Sequence, residues 1–286
     1  MIETILASLI DGVLLGFVYG LAAMGLALIF GVMNVINLAH GPTIALGMFV
    51  SYFAFTSLGL SPYLALIPAG VFGLLLGMVI YGVAVHRVIN APHLSTLLAT
   101  FAVNMILIGI GTAVLTTTPR NIDFRLGSFI AGPATILWNR LAAATVTIVV
   151  AGLLYLFLQR TRPGKHIRAV TDNRAAAELM GIPSSRVLAL TFGIGSMLAA
   201  VAGAVIATLF PFNVLSGGGY ELKSFLIAVL GSLGNPFGAL LGGLVLGALE
   251  GVLPGVVPTT WVPVFEFVLF VLILLWRPTG LLGGRQ

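Results

Sequence analysis

The chain has no cysteine, and only 7% of its 286 residues are charged. The first absence removes disulfides, thiolate metal sites and any clue to redox compartment. The second removes water as the main solvent, because soluble domains carry about 25% charged residues. Histidine is nearly as scarce. His40, His86, His93 and His166 show no ligand spacing such as i, i+4 on one helix, which argues against a metal site. No catalytic triad and no carboxylate pair can be assembled. The stretch SGGGYELKS at 216–224 lacks the Gly-Lys pair of a phosphate-binding loop, since Leu222 stands before Lys223, and no strand precedes it. The chain is therefore expected to be no enzyme and to hold no cofactor. A pI near 10 suggests nucleic acid, but the basic residues stand at the ends of apolar runs, so no nucleic acid is expected.

What is present is grease: 59% of the chain is hydrophobic. Apolar runs of about 20 residues recur, each long enough to cross a hydrocarbon layer of about 30 Å as a helix. None shows the alternation of a membrane β-barrel. The expected fold is an all-α polytopic bundle of eight or nine spans in one domain, 1–286. The spans are read at 5–30, 42–58, 62–86, 93–116, 138–158, 187–210, 222–232, 237–253 and 261–276. Span 222–232 is short enough to be a re-entrant half-helix, and NVINLAHGP at 34–42 reads as a second break. The 36 glycines and 14 prolines suit close helix packing and breaks that line a cavity. The first residues, MIETILASLID, lack the basic region of a cleaved signal, so the first helix is expected to stay. GFVYGLAAMGLALIFGVMNV and GIGSMLAAVAGAVIATLFPFNV are both Gly/Ala-rich and both end in Asn-Val beside a break. That texture suggests an inverted repeat, although Gly/Ala richness is common in any membrane helix.

Six of the thirteen basic residues sit in one polar island, RTRPGKHIRAVTDNRAAAELMGIPSSR, at 160–186. With that island inside, Arg87, Arg277 and Arg285 join it, while Arg120, Arg125, Arg140 and Lys223 fall on the other side. The positive-inside rule then places the N-terminus outside and the C-terminus and island in the cytoplasm. Within the island, Pro163 and Gly164 are expected to break the exit from the fifth span. Thr171 or Asp172 can cap a helix ended by Gly181 and Pro183. Such a helix is too short to be stable alone. Ala176, Leu179 and Met180 mark an apolar side, with Arg174 and Glu178 on another. A bare topology signal would explain the charge but not the cap and the stop.

TRPGKHIRAVTDNRAAAELMGIPSSRVLALTFGIGSMLAAVAG resembles the cytoplasmic loop and next helix of the permeases of branched-chain amino acid ABC importers. NVINLAHG with IALGMFVSY resembles their early motif, and FLIAVLGSLGNPFGALLGGLVLGALE with RPTGLLG their C-terminal third. The length is similar to that of the shorter permease subunit of such systems. The resemblance implies a multi-pass permease of a bacterial-type inner membrane. It pairs with a second permease or another copy, works with two cytoplasmic ATPases that hold ATP and magnesium, and receives cargo from an extracytoplasmic solute-binding protein. It further implies that Asp172, Arg174, Ala176, Glu178, Leu179, Met180 and Gly181 form a coupling helix seated in the ATPase.

Asn34, Asn37 and His40, with Asn104 and Asn213, are polar groups at or beside membrane depth. They are candidates for the substrate path. The alternative for the first three is local capping at a turn, and for Asn104 a bridge between helices. Glu250 and Glu266 are expected to snorkel to the interface. Segments 117–137, 211–221 and 254–261 are candidates for receiving the binding protein. The cargo remains open between leucine, isoleucine or valine and another small solute such as urea or a short amide. An ion-coupled carrier would need ionisable groups at mid-membrane, and a passive channel a ring of selectivity residues.

Overall fold

A computed structural model describes residues 2–124, 126–131, 134–277 and 280–281. Arg125, Arg285 and part of the closing RPTGLLG lie outside the described residues. The chain forms α1 (Ile2–Met33), α2 (His40–Leu58), α3 (Leu66–Ile80, continued by a π turn to Val85) and α4 (His93–Leu115). A hairpin of β1 (Ser128–Ala131) and β2 (Ala134–Leu137) follows, then α5 (Trp138–Arg160), α6 (Arg162–Asp172) and α7 (Arg174–Leu179). The last elements are α8 (Ser184–Ile206), α9 (Ser216–Gly231), α10 (Pro236–Val252) and α11 (Val262–Trp276). Among the described residues, eight helices are long and apolar enough to cross a membrane, and the chain is a multi-pass membrane protein. With 16 residues, α9 is the short ninth.

The helices pack in two matching sets. α1 lies antiparallel along α10, and α8 antiparallel along α3, while α1 crosses α8 and α2 crosses α9. In both sets a long helix is followed by a non-helical return, a helix that starts at mid-bundle, and a helix packed against the long helix of the other set. This is the inverted repeat suggested by the two Asn-Val endings. Small residues allow it: a Cβ on Gly243 would stand 2.5 Å from the Gly20 backbone, and one on Gly73 2.7 Å from Ser196 O. Without a hydrophobic drive between helices in lipid, such close backbone approach supplies the packing. The outer faces of α4 and α11 expose Leu94, Phe101, Ile110, Val268 and Leu275, a surface that suits acyl chains.

At one end of the bundle stand the hairpin, Asp11 paired with Arg140, and Arg120 bridged to Phe212 through both backbone N–H groups at 2.8 and 2.9 Å. At the other stand α6, α7, Met33, Ile89 and the α9–α10 turn. Of the described basic residues, Arg120 and Arg140 occupy the hairpin end, and Lys223 pairs with Glu250 on the same side. Arg87, Arg160, Arg162, Lys165, Arg168, Arg174, Arg186 and Arg277 occupy the island end.

Several expectations are corrected. The hairpin was not expected, because strands of four residues carry too little alternation to read. The fifth span does end beside Pro163 and Gly164, at Arg160, but the two residues themselves lie in the first turn of a new helix. Thr161 accepts from Gly164 N–H at 3.1 Å, and Pro163 sits in the first turn, where its missing N–H is harmless. Asp172 is the last residue of α6 and caps nothing; Asn173 caps α7, accepting from Ala176 N–H at 3.0 Å. Residues 216–221 are the first turns of α9 rather than part of a loop, with Gly217 packed on Gly41 while Gly218 and Gly219 stay exposed.

Candidate functional site

Two helix starts meet in the middle of the bundle. α1 ends at Asn34, whose φ of +53° is a left-handed turn that asparagine tolerates. The chain then runs back, non-helical, to His40 at the start of α2. His40 is fully buried, and its Nε2–H donates to Ala22 O, midway along α1, at 2.9 Å. After α8 the chain likewise returns through 207–215 to start α9. The Tyr220 ring of α9 lies 6.3 Å from that of Tyr19, again near the middle of α1. The starts touch at two glycines: a Cβ on Gly217 would lie 2.2 Å from Gly41 O. The Glu221 carboxyl group packs against Gly41 at the start of α2, where a Cβ on Gly41 would lie 2.5 Å from its Oε2.

Irregular backbone at this depth must be satisfied by protein. Asn37 Oδ1 accepts from Ala39 N–H at 3.0 Å, Thr43 donates to Ala39 O at 2.8 Å, and Thr100 of α4 donates to Ile36 O at 3.1 Å. Asn213 Oδ1 accepts from the N–H groups of Leu215 and Ser216 at 3.0 and 3.1 Å. Among the predicted path residues, Asn37 and His40 are thus brought together at the central break. Asn213 serves the turn into α9, and Asn34 lies towards the island end beside His93 and Thr96. Asn104 sits along α4 with its Oδ1 enclosed and without a partner, as are Asn37 Nδ2 and His40 Nδ1. A cavity of about 370 Å³ opens on the break, lined by Leu26, Asn37, Leu97, Gly218, Glu221 and Phe225 among others. The two polar breaks were legible in the sequence. Glu221 was missed as part of them, because only the fold brings α9 onto α2.

Glu250 and Glu266 do not snorkel. Both turn towards Lys223, which pairs with Glu250, approaches Glu266 Oε1 at 3.9 Å and stacks over the Tyr19 ring at 4.8 Å. The Glu266 side chain is only 5% exposed. This cluster ties α9 to α1, α10 and α11. Lys223→Met leaves two carboxylates facing each other without a cation. The expected loss is about 2 kcal/mol of stability by thermal unfolding in detergent, with partial recovery when Glu250→Gln is added.

At the island end, α7 is held by its edges. Ala177 is buried, while Leu179 and Met180 are 89% and 83% exposed. The expected apolar side of Ala176, Leu179 and Met180 therefore faces away from the bundle, and Ala177 is the residue that anchors. Arg174 Nε donates to Glu178 at 3.1 Å, Arg174 Nη1 reaches Asn90 at 3.4 Å, and Ser184 donates to Glu178. The Ser184 hydroxyl, and after it Arg174, hold the Glu178 carboxyl below its usual range. What this clip contributes is present above that range and fades as pH falls through the lowered value. Gly181 ends the element at φ +80°.

Known proteins are similar to this chain in sequence. The family model described as "Branched-chain amino acid transport system / permease component" matches residues 8–275. The high-affinity branched-chain amino acid transport system permease protein LivH of Salmonella typhimurium is 32% identical over 300 residues, covering 98% of this chain and 96% of that protein. LivH of Escherichia coli (strain K12) is 31% identical with the same coverage. BraD of Pseudomonas aeruginosa, named for the same kind of system, is 32% identical, also with the same coverage. With a multi-pass helical bundle broken twice at its centre and a matching family model over nearly its whole length, the chain belongs to the family of permease components of branched-chain amino acid transport systems.

Proposed function

We propose that this chain is the membrane subunit through which an ATP-driven importer passes leucine, isoleucine or valine across a bacterial inner membrane. The island end and C-terminus face the cytoplasm. There, residues 162–181 couple to two ATPase subunits that hold ATP and magnesium, so this chain carries no hydrolytic step. A solute-binding protein delivers cargo at the hairpin end, against 117–137, 211–221 and 254–261, and a second permease subunit or copy completes the path. Asn37 and His40 stand on that path at the central break, and Asn104 further along α4.

The observation that carries this reading is the exposure of Leu179 and Met180 on a helix clipped at both edges. An apolar pair presented on a braced element among basic residues suits a cytoplasmic protein partner. Cargo is less constrained by geometry. The experiment is uptake into proteoliposomes holding the assembled complex. Leucine accumulation is expected to require both internal ATP and loaded binding protein. Uptake by this chain alone without ATP would identify a carrier or channel, and transport of urea in place of leucine would reassign the cargo.

A further inference from the structure

Two cavities adjoin along α4, and two apolar side chains stand between them. The central one, about 370 Å³, has Leu26, Asn37, Gly218 and Phe225 on its wall. The second, about 400 Å³, lies nearer the island end, against Phe30, Asn34, His93 and Thr96. Phe30 is one helical turn beyond Leu26 on α1, so the second space continues the first towards that end. Ile36 and Leu97 line both. Ile36 belongs to the non-helical return and Leu97 to α4. An apolar constriction of this kind holds back water and polar solutes by dewetting, with no charged barrier.

One side chain ties the two walls together. Among the described residues, only the Thr100 hydroxyl of α4 donates to Ile36 O, at 3.1 Å. Thr100 is fully buried, and its hydroxyl has one hydrogen but three carbonyls in reach: Ile36 O at 3.1 Å, Thr96 O at 3.2 Å and Leu97 O at 3.1 Å. The last two belong to the helical ladder of α4 and accept backbone N–H groups there. The hydroxyl can therefore turn back on its own helix at little cost. Ile36 O is then left without a protein partner, and at membrane depth such a carbonyl must be met by water or by a donor on the cargo. Two arrangements follow. In one the return is tied to α4 and the constriction is shut; in the other the return is free and an acceptor is bared at the narrow point.

We propose that Ile36 and Leu97 form a gate between two successive chambers of the transport path, and that the Thr100 hydroxyl is its latch. This rests on the importer reading above and adds the place where passage is checked. Thr100 is a positioning residue, acting through Ile36 rather than on the cargo.

The chain has no cysteine, so Gly218→Cys puts a single thiol on the central cavity, at a position where nothing lies within 4 Å of a Cβ. The assembled importer is held in sealed inside-out membrane vesicles. A small membrane-impermeant thiol reagent is added outside, and labelling of this chain is timed. Thr100→Val keeps the shape of the side chain and removes the hydroxyl. Labelling is expected to quicken by about fivefold, the effect of losing one hydrogen bond. Thr100→Ser keeps the hydroxyl and is expected to keep the slow rate. Leu97→Ala widens the constriction without touching the latch and is expected to quicken labelling at least as much; it stands in if Thr100→Val does not assemble. Unchanged labelling in either variant, or a serine variant as fast as the valine one, overturns the proposal. Leucine uptake by the wild-type importer is measured alongside. ATP-driven uptake with unchanged labelling overturns the gate alone, whereas a wild type that moves no leucine overturns the importer reading and with it the transport role of the gate.

Discussion

Changing Ala176 and Ala177 together to glycine stops ATP-driven uptake while leaving the bundle folded. α7 has six residues, one cap at Asn173 and one stop at Gly181, so it forms only on marginal terms. Each alanine-to-glycine change in a helix costs about 1 kcal/mol, and two of them remove most of what so short an element retains. The change at position 177 also removes the methyl group that α7 buries against the bundle. Uptake by proteoliposomes is expected to fall to a few per cent of wild type, roughly the factor that about 2 kcal/mol of helix destabilisation implies. The detergent melting temperature should stay within about 2 °C. Leu179→Asp with Met180→Asp should give the same loss of uptake by another route. It keeps α7 and spoils only the exposed pair. A protein that still imports with α7 disordered would show that force reaches the membrane elsewhere.

The second large effect is on folding. Gly243→Leu should destabilise the protein by about 3 kcal/mol or prevent its accumulation, because a side chain there enters the space of the Gly20 backbone at 2.5 Å. No rotamer relieves a clash made by Cβ itself. α1 and α10 would have to separate, and with them the helix against which both central starts are placed. Gly109→Leu is the control: nothing lies within 4 Å of a Cβ at Gly109 in α4, so its stability should change by no more than about 0.5 kcal/mol. Equal losses from the two variants would mean that close α1–α10 packing does not hold the bundle together.

Much of this architecture is written locally, and the rest depends on contacts that sequence spacing does not reveal. Apolar run length gave the crossings, and the Asn-Val endings beside breaks marked the two returns to mid-bundle. The polar island was visible from charge alone. Inside it, the expected cap was Thr171 or Asp172, but α6 runs through Asp172 and Asn173 caps α7. A six-residue helix has fewer than two turns, too few for periodicity to say whether Ala176 or Ala177 faces inward. Glu250 and Glu266 looked like interfacial residues because they stand near helix ends. That Lys223 waits between them follows from α9 folding back beside α10, a fact about tertiary structure. Glu221 was overlooked for the same reason: it packs against Gly41, on the far side of the pseudo-symmetric crossing.

The sharpest test of the coupling claim uses the absence of cysteine. Met180→Cys gives a single thiol at the exposed residue that follows α7, and Val256→Cys gives one at the hairpin end, where Val256 is 71% exposed. Labelling rates with a membrane-impermeant maleimide are measured in opened membranes, with and without the ATPase subunits. The account predicts that the ATPase slows labelling at position 180 by about tenfold or more and leaves position 256 unaffected. Equal labelling at position 180 with and without the ATPase would contradict it.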